Sequence, residues 1–180
     1  MRILAAGLLM FTLVGFASAD SKKGPPPPAK GKTHTSDAGR FRVLAIGELK
    51  SESKNLSTAA GVLEVRTERF EGVRDLMVAV VYTDYPETFK DADVKSVLEG
   101  VCEGMRGVDG KLVRNREDSL GTGADTITGR DVRIEAGRNV VHARIFLNGS
   151  RLYQVMASGP RDAVDGKIAT DFVNSFELVK

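Results

Sequence analysis

Residues 139–158 read NVVHARIFLNGSRLYQVMAS, and this stretch decides the fold. Two runs typical of β-strands flank Asn148-Gly149, the strongest short-range signal of a β-hairpin, because both central residues of the favoured turn take positive φ. A two-residue turn at this position fixes which residues face one another. One face is predicted to carry the pairs Ile145/Leu152, Ala143/Gln154 and Val141/Met156, and the other face Phe146/Arg151, Arg144/Tyr153, His142/Val155 and Val140/Ala157.

Further strand patterns precede this hairpin. Residues 76–82 are apolar at nearly every position, which is typical of a central strand covered on both faces. In residues 61–70, apolar side chains alternate with charged ones, and this alternation predicts a half-buried strand with Glu68 on its polar face. Other strands are predicted over residues 41–47, 111–117 and 126–135, with the polar stretch 50–58 between the first two strand patterns.

Two helices separate and follow the strands. Residues 92–106 place apolar side chains at helical spacing, with Asp91 or Asp93 available to cap the first turn and Gly107 to end the helix. A second helix is predicted after Gly159-Pro160, with an apolar stripe from Val164 to Phe176. The order of strands, helix, strands and helix predicts the α+β class, a mostly antiparallel twisted sheet with helices packed on it.

The chain divides into three segments. Residues 1–19 combine one arginine, a short apolar run and Ala-Ser-Ala, which predicts a signal peptide cleaved between Ala19 and Asp20. The alternative is a membrane anchor, although the apolar run is shorter than the ~20 residues of a spanning helix. Residues 20–36 are rich in lysine and proline and predict a disordered leader, either a plain tether or a weak electrostatic arm. Residues 37–180 are predicted to form a single domain.

Composition excludes several classes of protein. A single cysteine excludes a disulfide framework and any multi-cysteine metal site within one chain. Four lysines and one aspartate give the leader a positive charge, whereas residues 36–180 hold 21 Lys and Arg against 23 Asp and Glu. That near balance is not typical of a nucleic-acid-binding domain, which presents a strongly basic face.

Several phrases resemble a group of secreted bacterial proteins of unknown function. The resemblance covers about residues 37–180, and the group is similar in turn to the PsbP-type α/β/α sandwich, the fold of the extrinsic PsbP subunit of photosystem II and of a nuclear Ran-binding protein. It implies a twisted antiparallel sheet with helices on both faces, and it assigns no functional residue. The stretches that carry it are residues 39–43, 78–86, 128–131, 144–156 and 171–178.

The best-placed polar cluster lies on one face of the predicted hairpin. In the functional interpretation, Arg144 binds an anion, His142 exchanges a proton and Tyr153 donates a hydrogen bond. The alternative is a cross-strand stack of Arg144 on Tyr153, with His142 at the sheet edge.

A second candidate ligand-binding region is the end of the predicted central strand, where Tyr82, Asp84 and Tyr85 form a rim. Turn and helix-cap roles explain the nearby acidic residues better than a calcium site does, because the spacing of an EF-hand is absent. Cys102 lies on the apolar face of the first helix and is interpreted as a small buried hydrophobe. The sequence therefore predicts no catalytic residue, no metal site and no cofactor.

The leading functional hypothesis is a monomeric, non-enzymatic binding or assembly module, periplasmic or secreted, with no transmembrane segment after signal cleavage. Its partner would be a protein or an envelope component, and not nucleic acid. The alternative is a small-molecule, anion-binding protein or weak enzyme that uses His142, Arg144 and Tyr153. A third class is a protein held on lipid or polymer by its basic leader. The sequons at Asn55 and Asn148 fit N-glycosylation by pattern alone.

Overall fold

The computed structural model describes residues 32–58, 61–73, 75–89 and 92–179. The predicted signal peptide and residues 20–31 of the predicted leader lie outside these described residues. The helices are α1 (Val94–Arg106), α2 (Arg161–Val164) and α3 (Lys167–Asn174). The strands are β1 (Lys32–Ser36), β2 (Phe41–Ala45), β3 (Glu48–Thr58), β4 (Gly61–Glu71), β5 (Met77–Asp84), β6 (Lys111–Leu120), β7 (Ile127–Ala136), β8 (Asn139–Asn148), β9 (Arg151–Pro160) and β10 (Glu177–Leu178).

The strands of the described residues form two sheets. Seven of them pair in the order β3-β4-β5-β9-β8-β7-β6, and three pair in the order β1-β2-β10. Every neighbouring pair is antiparallel. Strand β5 lies inside the larger sheet and is buried from Val78 to Thr83, as its continuous apolar run predicts. The α+β class with a mostly antiparallel sheet is confirmed.

The turn of the β8–β9 hairpin lies one position later than predicted. Asn148 pairs with Arg151, so the two turn residues are Gly149 and Ser150. Gly149 has a φ of 61°, whereas neither Asn148 nor Ser150 has a positive φ. This pattern fits a type II′ turn, which needs glycine only at its first central position. The predicted turn, with two residues at positive φ, is therefore wrong.

The later turn shifts the hairpin register by two residues. A shift of two leaves every side chain on its predicted face, because the side chains of a strand alternate with a period of two. It does change the partners: Tyr153 lies opposite Phe146, and Arg144 lies opposite Val155. The predicted cross-strand pair of Arg144 and Tyr153 is therefore wrong.

Two strands have no apolar alternation and were not expected. β3 covers the polar stretch 50–58, whose sequence has no strand pattern, and it pairs with β4 along its whole length. β1 belongs to the predicted leader, yet it pairs with β2 from Lys32 to Ser36. Residues 32–36 are therefore part of the folded chain and do not form a disordered segment. In both strands the neighbouring strand supplies the hydrogen bonds, so the strand forms without an apolar face of its own.

Helix α1 packs on one face of the larger sheet. Its first turn is capped by Asp93, whose carboxylate accepts a hydrogen bond from the Ser96 amide at 3.1 Å, and its end is marked by Gly107 with a φ of 65°. Both ends agree with the prediction. The buried residues of this core are Val97, Leu98, Cys102, Val132, Ala143, Ile145, Leu147 and Leu152.

The other face of the larger sheet is covered by α2, α3 and the three-stranded sheet. The single helix predicted from Pro160 is interrupted at Asp165 and Gly166, and Gly166 is the residue that precedes α3. The tail then forms β10, which pairs with β2. The aromatic core beneath these elements contains Phe41, Phe70, Tyr82, Phe146, Tyr153, Phe172 and Phe176.

Candidate functional site

The candidate residue Tyr153 holds the β1–β2 turn onto the larger sheet. Its side chain is 2% exposed, and its hydroxyl donates a hydrogen bond to the carbonyl oxygen of Gly39 at 2.9 Å. From the same strand, Nη1 of Arg151 donates to the carbonyl oxygen of Ala38 at 3.0 Å. Because Tyr153 and Arg151 are two residues apart on β9, both side chains lie on the face that the small sheet covers. Together they bind two successive carbonyls of the turn.

Asp84 fixes the position of Arg151. The two side chains form a bidentate ion pair, with Nε to Oδ1 at 2.6 Å and Nη2 to Oδ2 at 2.7 Å. This hydrogen-bonded pair lowers the pKa of Asp84 and raises the pKa of Arg151. The guanidinium of Arg151 also lies 5.6 Å from the centre of the Tyr82 ring. Asp84 and Tyr82 thus orient an arginine that contacts the turn.

Tyr82 also borders a buried carboxylate. Glu68 is 7% exposed, although the alternation in β4 places it on the polar face. One of its oxygens accepts from Ser36 and, at 3.4 Å, from the hydroxyl of Tyr82. The other oxygen lies 2.6 Å from Nε2 of His34. Glu68 therefore links β1 to β4 and β5 through side chains.

Tyr85 does not join the rim that Tyr82 and Asp84 form. Its ring stacks on Phe89 with the ring centres 4.9 Å apart, and it packs against the core beneath α1. Burial raises the pKa of its hydroxyl. The structure therefore brings Tyr82 and Asp84 together around Arg151 and leaves Tyr85 on the opposite side of the sheet.

His142 belongs to a separate charged cluster. Its Nε2 lies 3.1 Å from Oδ1 of Asp131, which also accepts from Arg114 at 2.8 Å. The second oxygen of Asp131 accepts from Arg116 at 2.7 Å. Burial works to raise the pKa of Asp131, but the hydrogen bonds from His142 and Arg116 and the charge of Arg114 outweigh it and hold the pKa well below its usual range.

Arg144 lies beside this cluster. It forms a bidentate pair with Asp118, at 2.6 and 3.1 Å, and its guanidinium lies 4.9 Å from the centre of the Phe146 ring. Both groups of charges line a cavity of about 380 Å³. Its lining residues are Arg114, Arg116, Asp118, Asp131, His142, Arg144 and Asn174. His142 and Arg144 thus share a cavity, whereas the hydroxyl of Tyr153 points to the β1–β2 turn.

A larger groove of about 1340 Å³ adjoins the cavity, and Arg144 and Asn174 line both. One wall is the end of the β6–β7 hairpin, residues 120–127, and the other is the tail 176–179. The turn residues 148–150 and the side chains of Asp84, Arg151 and Tyr153 also line it. The groove therefore borders Asp84, Arg151 and Tyr153, and chain segments close it on two sides.

Arg40 also lines this groove. Its φ of 54° lies in the left-handed region, which an arginine rarely adopts. The backbone around it is held from several directions, since the carbonyl of Arg40 accepts a hydrogen bond from the amide of Val179 at 2.9 Å. Hydrogen bonds from Arg151, Tyr153 and Val179 thus hold three successive carbonyls of the β1–β2 turn, those of residues 38–40.

The described residues offer little reactive chemistry. Cys102 is fully buried, and desolvation raises the pKa of its thiol to about 11, so it is neither accessible nor ionised at neutral pH. No group of three or more His, Cys, Asp or Glu in the described part of the chain is placed to hold a metal ion. In residues 32–58, 61–73, 75–89 and 92–179, the helices lack the length and apolarity that a bilayer crossing requires.

Sequence reasoning missed the partners of the candidate residues. The sequence places Arg151 in the hairpin, on the same strand face as Tyr153, but does not indicate that it contacts the β1–β2 turn. Asp118 and Asp131 lie on β6 and β7, and they meet the arginine and histidine of β8 only because these three strands are neighbours in that order. The order of the strands was the missing information.

Comparisons with known proteins agree with this fold. No family model matches the chain, and no curated protein matches it. Among solved structures, the solution structure of cyanobacterial PsbP (CyanoP) from Synechocystis sp. PCC 6803 is similar, with a TM-score of 0.54 at 14% identity. The match covers 90% of this chain and 98% of that one. The resemblance inferred from the sequence phrases is therefore confirmed at the level of architecture, and the chain has a PsbP-like fold.

Proposed function

We propose that the protein is a non-enzymatic binding or assembly module that acts outside the cytoplasm after residues 1–19 are removed. The observation that carries the proposal is that the candidate side chains are held by contacts within the protein. Asp84, His142, Arg144 and Tyr153 each contact another protein group, and the one thiol is buried. These contacts give each of the side chains a structural role in this fold, and a buried thiol with a raised pKa is a poor nucleophile.

The groove is the proposed binding surface. Its volume of about 1340 Å³ exceeds the roughly 300–1,000 Å³ that is usual for a small-molecule pocket. Its lining mixes apolar residues such as Leu120, Ile127 and Phe176 with charged and backbone groups. Such a mixture suits a segment of a protein partner, because interfaces of this kind are about as polar as the rest of a protein surface.

The fold supports the same proposal. We interpret the layers, with α1 on one face of the large sheet and α2, α3 and the small sheet on the other, as the PsbP-type α/β/α sandwich. The sequence resembles proteins whose fold docks onto larger assemblies. In this chain, the groove is a concave surface that suits contact with such an assembly. The partner class remains a protein or an envelope component, as predicted.

Site-specific crosslinking tests the groove. A photoreactive amino acid at Thr122, an exposed groove residue, should give crosslinks to a defined partner in the native envelope. The same amino acid at Lys95, exposed on α1 across the sheet, is the matched control. Equal crosslinking from both positions, or none from Thr122, would contradict the proposal.

Signal cleavage is tested separately. The amino terminus of the exported chain should be Asp20.

A second candidate function is the binding of a small anion in the 380 Å³ cavity. It is favoured by the three arginines that line the cavity against two aspartates. The Nε of Arg114 is buried there without a hydrogen-bond partner. Titration with phosphate, sulfate and dicarboxylates should show binding that Arg144→Ala abolishes and that Arg161→Ala, which removes an exposed arginine paired with Glu135, leaves intact. Unchanged binding by Arg144→Ala would exclude this site.

A further inference from the structure

The edge strand β3 presents a long, uncovered row of backbone groups. It spans Glu48–Thr58 and pairs with β4 on one side only, at the end of the larger sheet. Residues 48–55 are all exposed, so within the described part of the chain no element covers the free side. An open edge of this length is a template for pairing with another strand.

The charges on β3 alternate in sign along one face. Glu48, Lys50, Glu52 and Lys54 are spaced by two residues, so their side chains lie on the same face of the sheet. The signs run negative, positive, negative, positive. Charges on an edge strand commonly discourage pairing, and a run of one sign would repel a second copy. An alternating run instead attracts a copy of itself in the correct register.

We infer that β3 pairs antiparallel with β3 of a second copy of this chain, so that the two large sheets become continuous. A two-fold axis perpendicular to the sheet through Ser51 places Glu48 opposite Lys54 and Lys50 opposite Glu52. Symmetry repeats both pairs, so that every charge on this face meets one of opposite sign. Opposite charges that face one another across strands stabilise the pairing, and like charges destabilise it.

Other registers share this complementarity in part or not at all. In a symmetric antiparallel pair, two residues that lie opposite one another have side chains on the same face, so their numbers differ by an even amount. The two-fold axis therefore lies level with one residue, which faces its own copy in the second chain. An axis through Lys50 brings two lysines together and places Glu48 opposite Glu52. An axis through Glu52 brings two glutamates together and places Lys50 opposite Lys54. Axes through Leu49 or Ser53 also bring opposite charges together, but each gives two such contacts, whereas the axis through Ser51 gives four. The charges therefore favour the register centred on Ser51.

The contacts that these charges make within one chain leave them available. Lys50 lies 2.6 Å from Glu71, and Glu52 lies 3.5 Å from Arg69 and 3.9 Å from Lys54. The side chains of Lys50 and Glu52 are 49% and 48% exposed. Exposed ion pairs of this kind contribute little to stability, so either residue can turn to a partner strand at small cost.

The opposite edge of the sheet is less suited to pairing. β6 carries an irregularity between Leu112 and Arg114, where its register with β7 shifts. A bulge twists the edge and interrupts the row of hydrogen-bonding groups. The interface through β3 is isologous, so it closes after two copies and gives a dimer and not a fibre. This dimer replaces the monomer expected from the sequence, and it uses neither the groove nor the cavity.

Charge reversal tests the register. Sedimentation analysis should show the wild-type chain as a dimer. Lys50→Glu places the introduced carboxylate opposite Glu52 twice in the dimer, and we expect an association constant lower by at least about tenfold. Glu52→Lys should weaken the dimer equally, because it places two ammonium groups opposite one another. An equimolar mixture of the two variants should form a heterodimer, since each altered residue then meets an opposite charge.

The control is Lys95→Glu, which makes the same charge change on α1 and should leave the dimer intact. Circular dichroism and the unfolding midpoint of each variant verify that it is folded. A wild-type chain that is monomeric at all concentrations overturns the inference. So does Lys50→Glu that dimerises like wild type, or a mixture of the two variants that stays monomeric.

Discussion

Replacing Tyr153 by phenylalanine removes one hydroxyl and keeps the ring that packs in the aromatic core. The hydroxyl is the donor to the buried carbonyl of Gly39, at 2.9 Å. Its loss leaves that carbonyl unpaired in a site that is closed to water, which costs about 1–3 kcal/mol. In a chain of this length, each kcal/mol lowers the melting temperature by roughly 2–4 °C. A loss of about 2 kcal/mol therefore corresponds to roughly 4–8 °C.

The measurement is urea unfolding of the wild-type chain and of Tyr153→Phe, followed by circular dichroism and fitted with a common slope. Tyr85→Phe is the matched control, because it makes the same chemical change at a half-buried tyrosine whose ring stacks on Phe89. The structure gives the Tyr85 hydroxyl no hydrogen bond to another described residue, so its removal should change stability by less than about 0.5 kcal/mol.

Equal stability of Tyr153→Phe and wild type would refute the reasoning. It would mean that water replaces the lost donor at Gly39 and that the turn is not sealed against the sheet. A loss of similar size in Tyr85→Phe would also contradict it, since the effect would then follow from burying any tyrosine ring. Hydrogen exchange should show faster exchange in the β1–β2 turn for Tyr153→Phe alone.

Three further predictions follow from the fold and the charged cluster. Cys102 should react with a thiol reagent only after unfolding, because it is fully buried and its pKa is about 11; rapid labelling of the native chain would contradict this. Asp131→Asn should destabilise the fold near neutral pH, and the difference from wild type should shrink as the pH falls below about 4, because a lowered pKa gives stability that is present above the unfolded value and lost on acidification. Gly129→Ala should destabilise strongly, since its Cβ would contact the Phe146 ring and lie 2.5 Å from the carbonyl oxygen of Ile145, whereas Gly100→Ala, at an open helical position, should not; their melting temperatures compare the two.

Elements with an apolar period could be predicted from the sequence. The run 76–82 gave β5, and the spacing in residues 92–106 gave α1 with both of its ends. β3 could not be predicted in this way, because its residues 48–55 are exposed on both faces and carry no hydrophobic signal. β3 forms because β4 provides the backbone groups with which it makes hydrogen bonds. The hairpin turn was located to within one position, but the type of turn depends on the backbone and not on Asn-Gly alone.

The candidate site was predicted less well than the fold. Strand alternation correctly placed His142 and Arg144 on one face, since that depends on parity. Their partners Asp118 and Asp131 come from strands whose order no local pattern determines. Glu68 shows the same limit, because alternation predicts an exposed residue, whereas the small sheet folds over it and supplies His34 and Ser36 as partners. Contacts between layers are the part that a local pattern does not encode.

The position of β2 between β1 and β10 has a consequence for synthesis. β2 is made early, and its partner on one side, β1, precedes it by only a few residues. Its partner on the other side is remote, since Arg42 and Glu177 are 135 residues apart in sequence. Phe41 is fully buried beside Phe176 in the folded chain, so it becomes fully buried only after β10 has been made. During translation this layer therefore stays incomplete until β10 has been made, and until then Phe41 lacks part of the surface that covers it.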